Sequence, residues 1–494
     1  MLFNSYVFVL LFFPIVIIGY FTLNHFHKYN LSKVFLLIAS LFFYGYFNWW
    51  YLLIIIGSII LNYIFSVTML KTPKDRSAFR KIILALALTL NIGSLFFFKY
   101  YDFFIGNING IFNTNVTLLN LMLPLGISFF TFQQLSYVID SYKNEVPVYS
   151  FLDYSLFVTY FPQLIAGPIV THDEMVPQFA DSEKKKFNSD NFAKGLYAFA
   201  FGLAKKVVIA DSFGLVVDSA FADVTELGSL NALLVMLSYT FQIYFDFSGY
   251  CDMATGIGKM MNIDITMNFN SPYKAINIVD FWKRWHITLT RFFTKYIYIP
   301  LGGNRKGTIR TYLNILIVFL VSGIWHGANW TFILWGILHG VANVITRLID
   351  KSTCLFSKNK YPIFRFVFWL LTFIFINLTW VIFRADSVSQ AFEFYKQLFS
   401  FNFTPINEDF INSLRLDGLN LVCYFIPYIG DYIIRFTPAL LMLFSLCSST
   451  LMKNTNERIE IFKPSFIKAV TTAIIWVWCI MSFAGVSSFL YWNF

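Results

Sequence analysis

The chain has 494 residues, of which 57% are hydrophobic, 20% aromatic and only 13% charged. Apolar runs of about 18 residues or more recur along it, which excludes a soluble globular protein and indicates an all-α polytopic membrane protein. The formal charge of +10 comes from cations scattered between the apolar runs, a pattern of basic loops beside a membrane rather than of a nucleic-acid surface.

Residues 5–22 are the first apolar segment. No basic stretch precedes them and no small-residue cleavage site follows, so the segment is expected to remain as a helix rather than leave as a signal peptide. Segments 33–50 and 51–70 come next, then a basic loop with Lys71, Lys74, Arg76, Arg80 and Lys81. The positive-inside rule makes that loop cytoplasmic and the N-terminus periplasmic. Segment 82–99 leads out to a nearly uncharged loop at 102–117, and 118–139 returns. Pro162, Gly167 and Pro168 break the stretch 150–170, as a re-entrant element requires. Segments 195–220 and 228–250 then each cross once, ahead of a basic, cytoplasmic region at 252–310.

Within that region, Phe281, Trp282, Trp285, Phe292 and Phe293 alternate with Lys283, Arg284, His286, Arg291 and Lys295. The mix predicts an amphipathic helix over 278–300, lying at the cytoplasmic interface. The apolar stretch 311–347 lies between two basic flanks, which implies a hairpin of two helices with its turn near Gly323–Asn329. Segment 362–383 crosses outward, 384–417 lies outside and 436–452 returns to a basic loop with Lys453, Arg458 and Lys463. The last helix, 467–490, ends at the periplasmic face with the aromatic tail Phe489-Leu490-Tyr491-Trp492-Asn493-Phe494. About ten to eleven spans result, with no repeat and no soluble domain on either face.

The hairpin holds the most informative residues, Gly323-Ile324-Trp325-His326-Gly327-Ala328-Asn329. An ionisable group at membrane depth is costly unless it is paired or used. A neutral imidazole can take a proton from a hydroxyl nucleophile and return it to a leaving group. The flanking glycines permit close approach of backbone or substrate, and Asn329 is positioned to bond a carbonyl oxygen. His326 is therefore the candidate general base. Of the other histidines, His25, His27 and His172 read as solvated loop residues, His339 as a core residue bonded to a neighbour, and His286 as part of an interfacial aromatic-basic belt. Asp246 and Asp252 read as carboxylates at a helix end, and Lys205, Lys206 and Asp211 interrupt another span. Pairing of these charges inside the bundle is expected, with a polar tunnel as the alternative. The five cysteines show no metal spacing, and no phosphate-cradling, dinucleotide-binding or zinc-protease motif occurs; no metal and no permanently bound cofactor is expected.

Four stretches, read in order, resemble the membrane-bound O-acyltransferase superfamily, nearest to its bacterial alginate and peptidoglycan O-acetyltransferase branch. They are Tyr244-Phe245-Asp246-Phe247-Ser248-Gly249-Tyr250, Phe281-Trp282-Lys283-Arg284-Trp285-His286, Tyr298-Ile299-Pro300-Leu301-Gly302-Gly303-Asn304-Arg305 and Trp325-His326-Gly327. Pro124-Leu125-Gly126-Ile127-Ser128-Phe129 and Leu164-Ile165-Ala166-Gly167-Pro168-Ile169 are similar too, and Cys251 stands where the branch more often has serine. The resemblance implies a ring of tilted helices around a tunnel. It maps the family's two histidines onto His326 and His286, makes acetyl-CoA the cytosolic donor, and leaves Trp325, Asn329, Asp246, Ser248 and Trp285 as candidates for the tunnel wall. The tail is similar to an aromatic, tyrosine-containing motif of polysaccharide-acylation systems, which implies that Tyr491 accepts the acyl group; an interfacial anchor is the alternative.

The reading that results is an O-acetyltransferase of the bacterial cytoplasmic membrane, with residues 1–390 as the membrane core and 391–494 as C-terminal helices carrying the tail. It would pass acetyl outward to a cell-surface glycan through a periplasmic SGNH-type O-acetyltransferase partner. Peptidoglycan is favoured over alginate, because a composition rich in Phe, Ile, Asn and Lys points to an AT-rich genome. A transporter or flippase without acyl chemistry, and a non-catalytic scaffold, are the rival classes.

Overall fold

The computed structural model of the chain describes residues 1–353, 355, 356, 361–414, 427–485, 489 and 490, without the side chains of 427–435, 484 and 485. Among the described residues all regular structure is helical. Six helices are long and apolar enough to cross a membrane: Val7–His25, Trp50–Lys71, Ser77–Phe112, Thr308–His326, Trp330–Thr353 and Pro362–Arg384. Shorter apolar helices run over Tyr29–Gly45, Phe436–Thr450 and Phe466–Met481. The all-α polytopic membrane fold expected from composition is the one observed.

The chain forms two compact units, Met1–Leu196 with Ala254–Thr266, and Tyr197–Met253 with Met267–Phe494. In the first unit, polar side chains join helices whose surfaces are otherwise apolar. Asn62 donates to Asn91 at 3.2 Å and to Gln134 at 3.1 Å, and Asn91 returns a bond to Asn62 at 2.7 Å. Helices in hydrocarbon gain little from apolar contact alone, so such bonds and close packing fix their pairing. The stretch 150–170 breaks as expected: Ser150 caps the helix Phe151–Thr159, which stops at Tyr160 before the short helix Phe161–Leu164 begins. A Cβ on Gly167 would meet the Gln163 Cα at 2.4 Å. Residues 154–170 are all buried, so this irregular backbone rests on protein.

Several sequence expectations are corrected in this unit. The loop at 102–117 is helical through Phe112, and the returning helix starts at Ile127 rather than 118. Arg80 is not a loop cation; it is buried and donates to the Ser141 and Tyr142 carbonyls. His172 is not solvated. It lies buried with Nε2 3.1 Å from Asp140 Oδ2 and Nδ1 3.2 Å from the Tyr149 hydroxyl. A Thr171–Glu174 capping box starts the helix His172–Ala180 and thereby sets this histidine inward. His27, by contrast, is exposed beside Tyr29.

The helix Gly228–Met260 runs 33 residues, about 50 Å, so Asp246 and Asp252, in its part within the second unit, lie inside the helix and not at an end. Facing groups neutralise both. Lys205 Nζ is 2.6 Å from Asp252, and Lys206 Nζ is 2.7 Å from both Asp211 and Asp246. The backbone at Lys205–Ala210 is π-helical, a local widening common where side chains must be re-aimed. Structural pairing of these charges is thus what occurs.

The hairpin forms as expected, with arms Thr308–His326 and Trp330–Thr353. Its arms meet backbone to backbone. A Cβ on Gly336 would lie 2.5 Å from the Phe319 carbonyl, and one on Gly323 would lie 2.4 Å from the Phe332 carbonyl. Small residues at such a seam permit the close approach.

Candidate active site

The second unit brings His286, Trp325 and His326 together. His326 is the last residue of the first hairpin arm, 18 residues after Thr308, or about 27 Å along the helix. Its ring is held edge-on by Trp335 and Phe383, each with a centroid 5.1 Å away, and lies 4.8 Å from the ring of Trp325. Trp325 is in turn 6.1 Å from the His286 ring. One tryptophan ring therefore packs near two buried imidazoles.

His286 departs most from expectation. The stretch 278–300 is not one interfacial helix. It breaks into Ile278–Arg284 and Ile287–Phe293, with His286 between them at φ +46°. A bulky residue in the left-handed region is strained and persists only where its surroundings impose it. Here Trp285 and His286 are driven inward: both are fully buried, Trp285 against Phe269 and Trp380 at 5.0 Å each and His286 against Phe247 at 4.9 Å. Phe281, Trp282 and Trp285 are core because rings of Tyr273, Trp335 and Trp380 are there to receive them.

Asn268 sets the protonation of His286. The Thr288 backbone N–H, at 3.2 Å, donates to the same Asn268 side-chain atom that Thr288 Oγ1 approaches at 2.9 Å, so that atom is the oxygen. His286 Nδ1, 3.2 Å from it, must then donate. A neutral ring so held carries its lone pair on Nε2, as a general base requires. No local motif marked Asn268; only its return to the break at His286 reveals it. Phe247, Trp335 and Phe383, which hold the two imidazoles, were equally invisible as site residues.

The remaining candidates fall in four groups. Asp246 and Ser248 are buried in the helix Gly228–Met260. Asn329 is committed to the hairpin turn, where its amide nitrogen donates to the Asp386 carbonyl at 2.8 Å and its oxygen accepts the Thr331 N–H at 3.1 Å, so it is not aimed at a substrate carbonyl. Tyr491 lies outside the described residues. His339 behaves as a satisfied core residue: Trp282 donates to its Nδ1 at 3.2 Å, which places the proton on Nε2, 3.0 Å from Thr379. A cavity of about 570 Å³ elsewhere in this unit is lined by Tyr244, Phe245, Trp478, Lys453 and Arg458 among others, but by neither His286 nor His326.

Hairpin seam and site are coupled, because the arm that closes on Gly336 ends at His326. A Gly336→Val chain should lose transfer activity and about 1–3 kcal/mol of stability, whereas Gly93→Ala, whose added Cβ meets nothing within 4 Å, should keep both. Thermal midpoints in detergent and acyl-transfer rates check this; an unaltered Gly336→Val enzyme would show that the seam does not hold the site.

Residues 126–383 match MBOAT, the membrane-bound O-acyltransferase family. The chain belongs to this family and is a polytopic membrane acyltransferase, which removes the transporter and scaffold readings. It is 41% identical to the peptidoglycan O-acetyltransferase of Helicobacter pylori, over 100% of this chain and 98% of that one. It is 37% identical to the probable alginate O-acetylase of Pseudomonas aeruginosa, over 87% and 80% of the two chains. A teichoic acid D-alanyltransferase of Bacillus subtilis is 27% identical over 47% of this chain and 61% of its own length.

Proposed function

We propose that this acyltransferase passes acetyl from cytosolic acetyl-CoA across the bacterial cytoplasmic membrane for O-acetylation of a cell-surface polysaccharide, with peptidoglycan as the acceptor. The observation that carries the reading is the pair of buried histidines around Trp325 in a chain similar along its whole length to a peptidoglycan O-acetyltransferase. The lower identity and shorter coverage of the alginate relative and the AT-rich composition favour peptidoglycan, and alginate or another exopolysaccharide is the alternative acceptor.

In the chemistry we infer, a hydroxyl attacks the thioester carbonyl carbon. An imidazole takes the hydroxyl proton as the new C–O bond forms; the C–S bond then breaks and the thiolate of CoA recovers that proton. His326 takes this base role, and His286, its Nδ1 fixed by Asn268, is the second catalytic imidazole. Trp325, Trp285, Ser248 and Asp246 belong to the wall of the acyl path in this reading. The attacking hydroxyl is assigned to Tyr491. A phenol ordinarily has a pKa of about 10 and is a weak nucleophile at neutral pH without such a base. The acetyl-tyrosine then serves a periplasmic SGNH-type transferase, which completes transfer to the glycan. Residues 1–390 act as the catalytic body and 391–494 carry the tail, with both termini periplasmic.

Inverted vesicles holding the chain and its outer partner, supplied with radiolabelled acetyl-CoA on the exposed cytoplasmic side, test the proposal. Label should reach glycan enclosed in the lumen, and Tyr491→Phe should reduce it by about 10²-fold or more, the scale of a lost catalytic group. Full labelling by Tyr491→Phe would remove the tyrosine relay. Labelling that requires acetyl-CoA on the lumenal side would overturn the direction of transfer.

A further inference from the structure

The helix Gly228–Met260 carries Asp246 almost fully enclosed in the second unit. Two contacts engage its carboxylate. Oδ1 lies 2.7 Å from Lys206 Nζ, which lies 2.7 Å from Asp211 as well. Lys206 is thus shared between two carboxylates, and a carboxylate as deeply buried as Asp246 requires a donor at its remaining oxygen. That donor comes from 244 residues further along the chain: the backbone N–H of Leu490, 3.1 Å from Asp246 Oδ2.

The preceding residue completes the seat. Phe489 is only 2% exposed. Its ring centroid lies 4.7 Å from that of Tyr250, 6.2 Å from that of Phe247 and 5.9 Å from Lys206 Nζ. Phe247 is the ring packed 4.9 Å from His286. The described start of the tail is therefore buried, one aromatic ring removed from a candidate catalytic histidine.

We propose that Asp246, clamped by Lys206, is a built docking site for the chain's own tail, and so a positioning residue. Its free oxygen takes the Leu490 amide while Phe247, Tyr250 and the Lys206 ammonium receive the Phe489 ring. A backbone amide is the natural occupant, because it offers a donor without bringing another charge into a buried ion cluster. The aromatic ring before it fills the adjoining apolar space and turns its face to the cation. The site recognises backbone plus one aromatic side chain, so it fixes the register of the tail against helix Gly228–Met260.

Hydrogen exchange on the full-length chain in detergent, read on the peptide spanning 486–494, tests the docking without any acetylation step. Its failure is therefore distinct from failure of the proposed function. In the unaltered chain the Leu490 amide should exchange slowly. Asp246→Ala should speed it at least tenfold while peptides from the hairpin stay unchanged, and Asp246→Asn, which keeps an acceptor oxygen, should restore much of the protection. If Asp246→Ala unfolds, exchange rises in every peptide. The triple variant Lys206→Met, Asp211→Asn and Asp246→Leu then supplies the answer, since it removes the site without leaving either carboxylate unpaired. Slow Leu490 exchange in that triple variant, or in a folded Asp246→Ala chain, overturns the proposal.

Discussion

Replacing His326 with alanine should lower acyl transfer by about 10²–10⁴-fold, the usual worth of a general base, while the protein still accumulates in the membrane. The expectation rests on position. His326 closes the first hairpin arm, and its ring is fixed by Trp335, Phe383 and Trp325 at centroid distances of 5.1, 5.1 and 4.8 Å. Truncation removes a proton carrier and opens a gap that the neighbouring rings fill in part. His339 supplies the contrast. It is equally buried, but both of its nitrogens are engaged, by Trp282 and Thr379. Its loss should act through stability, at about 1–3 kcal/mol for the orphaned indole N–H. Transfer rates per folded molecule separate the two. A His326→Ala chain that keeps more than about a tenth of normal transfer, above the loss expected for any general base, would end its assignment as the base.

The second large effect is on folding. Lys206→Met leaves the buried Asp246 and the half-buried Asp211 together without the ammonium that now lies 2.7 Å from each. Breaking a buried ion cluster in this way costs about 3–5 kcal/mol, so the thermal midpoint in detergent should fall well below that of the unaltered chain. Adding Asp211→Asn and Asp246→Asn should recover most of the loss, because the penalty comes from charge left unpaired more than from attraction foregone. A Lys206→Met chain that melts at the normal midpoint would show that water or another cation reaches the triad.

Much was legible in the residues themselves. Apolar runs marked the membrane helices, since a lipid-facing helix must be apolar along its whole length. Two basic flanks and a glycine-bounded turn marked the hairpin, and an ionisable residue inside it marked His326. Each signal is local: it concerns what one stretch must satisfy with its own side chains and backbone.

What only the tertiary structure decided concerns residues far apart. The alternation of Trp and Lys/Arg around His286 fits an interfacial helix as well as it fits a kinked segment driven into an aromatic core. Rings on other helices made the choice, and Asn268 then set the tautomer. His172 reads as a loop residue until Asp140 and Tyr149 are brought to it. Asp246 meets Leu490 across 244 residues, with nothing in either stretch to announce the other. Composition and turn residues determined by themselves that this is a polytopic membrane protein with a histidine-bearing hairpin. The folded chain decided which polar groups are paired, because the cost of burying a donor or acceptor is relieved by whatever partner packing delivers, and that partner is seldom a neighbour in sequence.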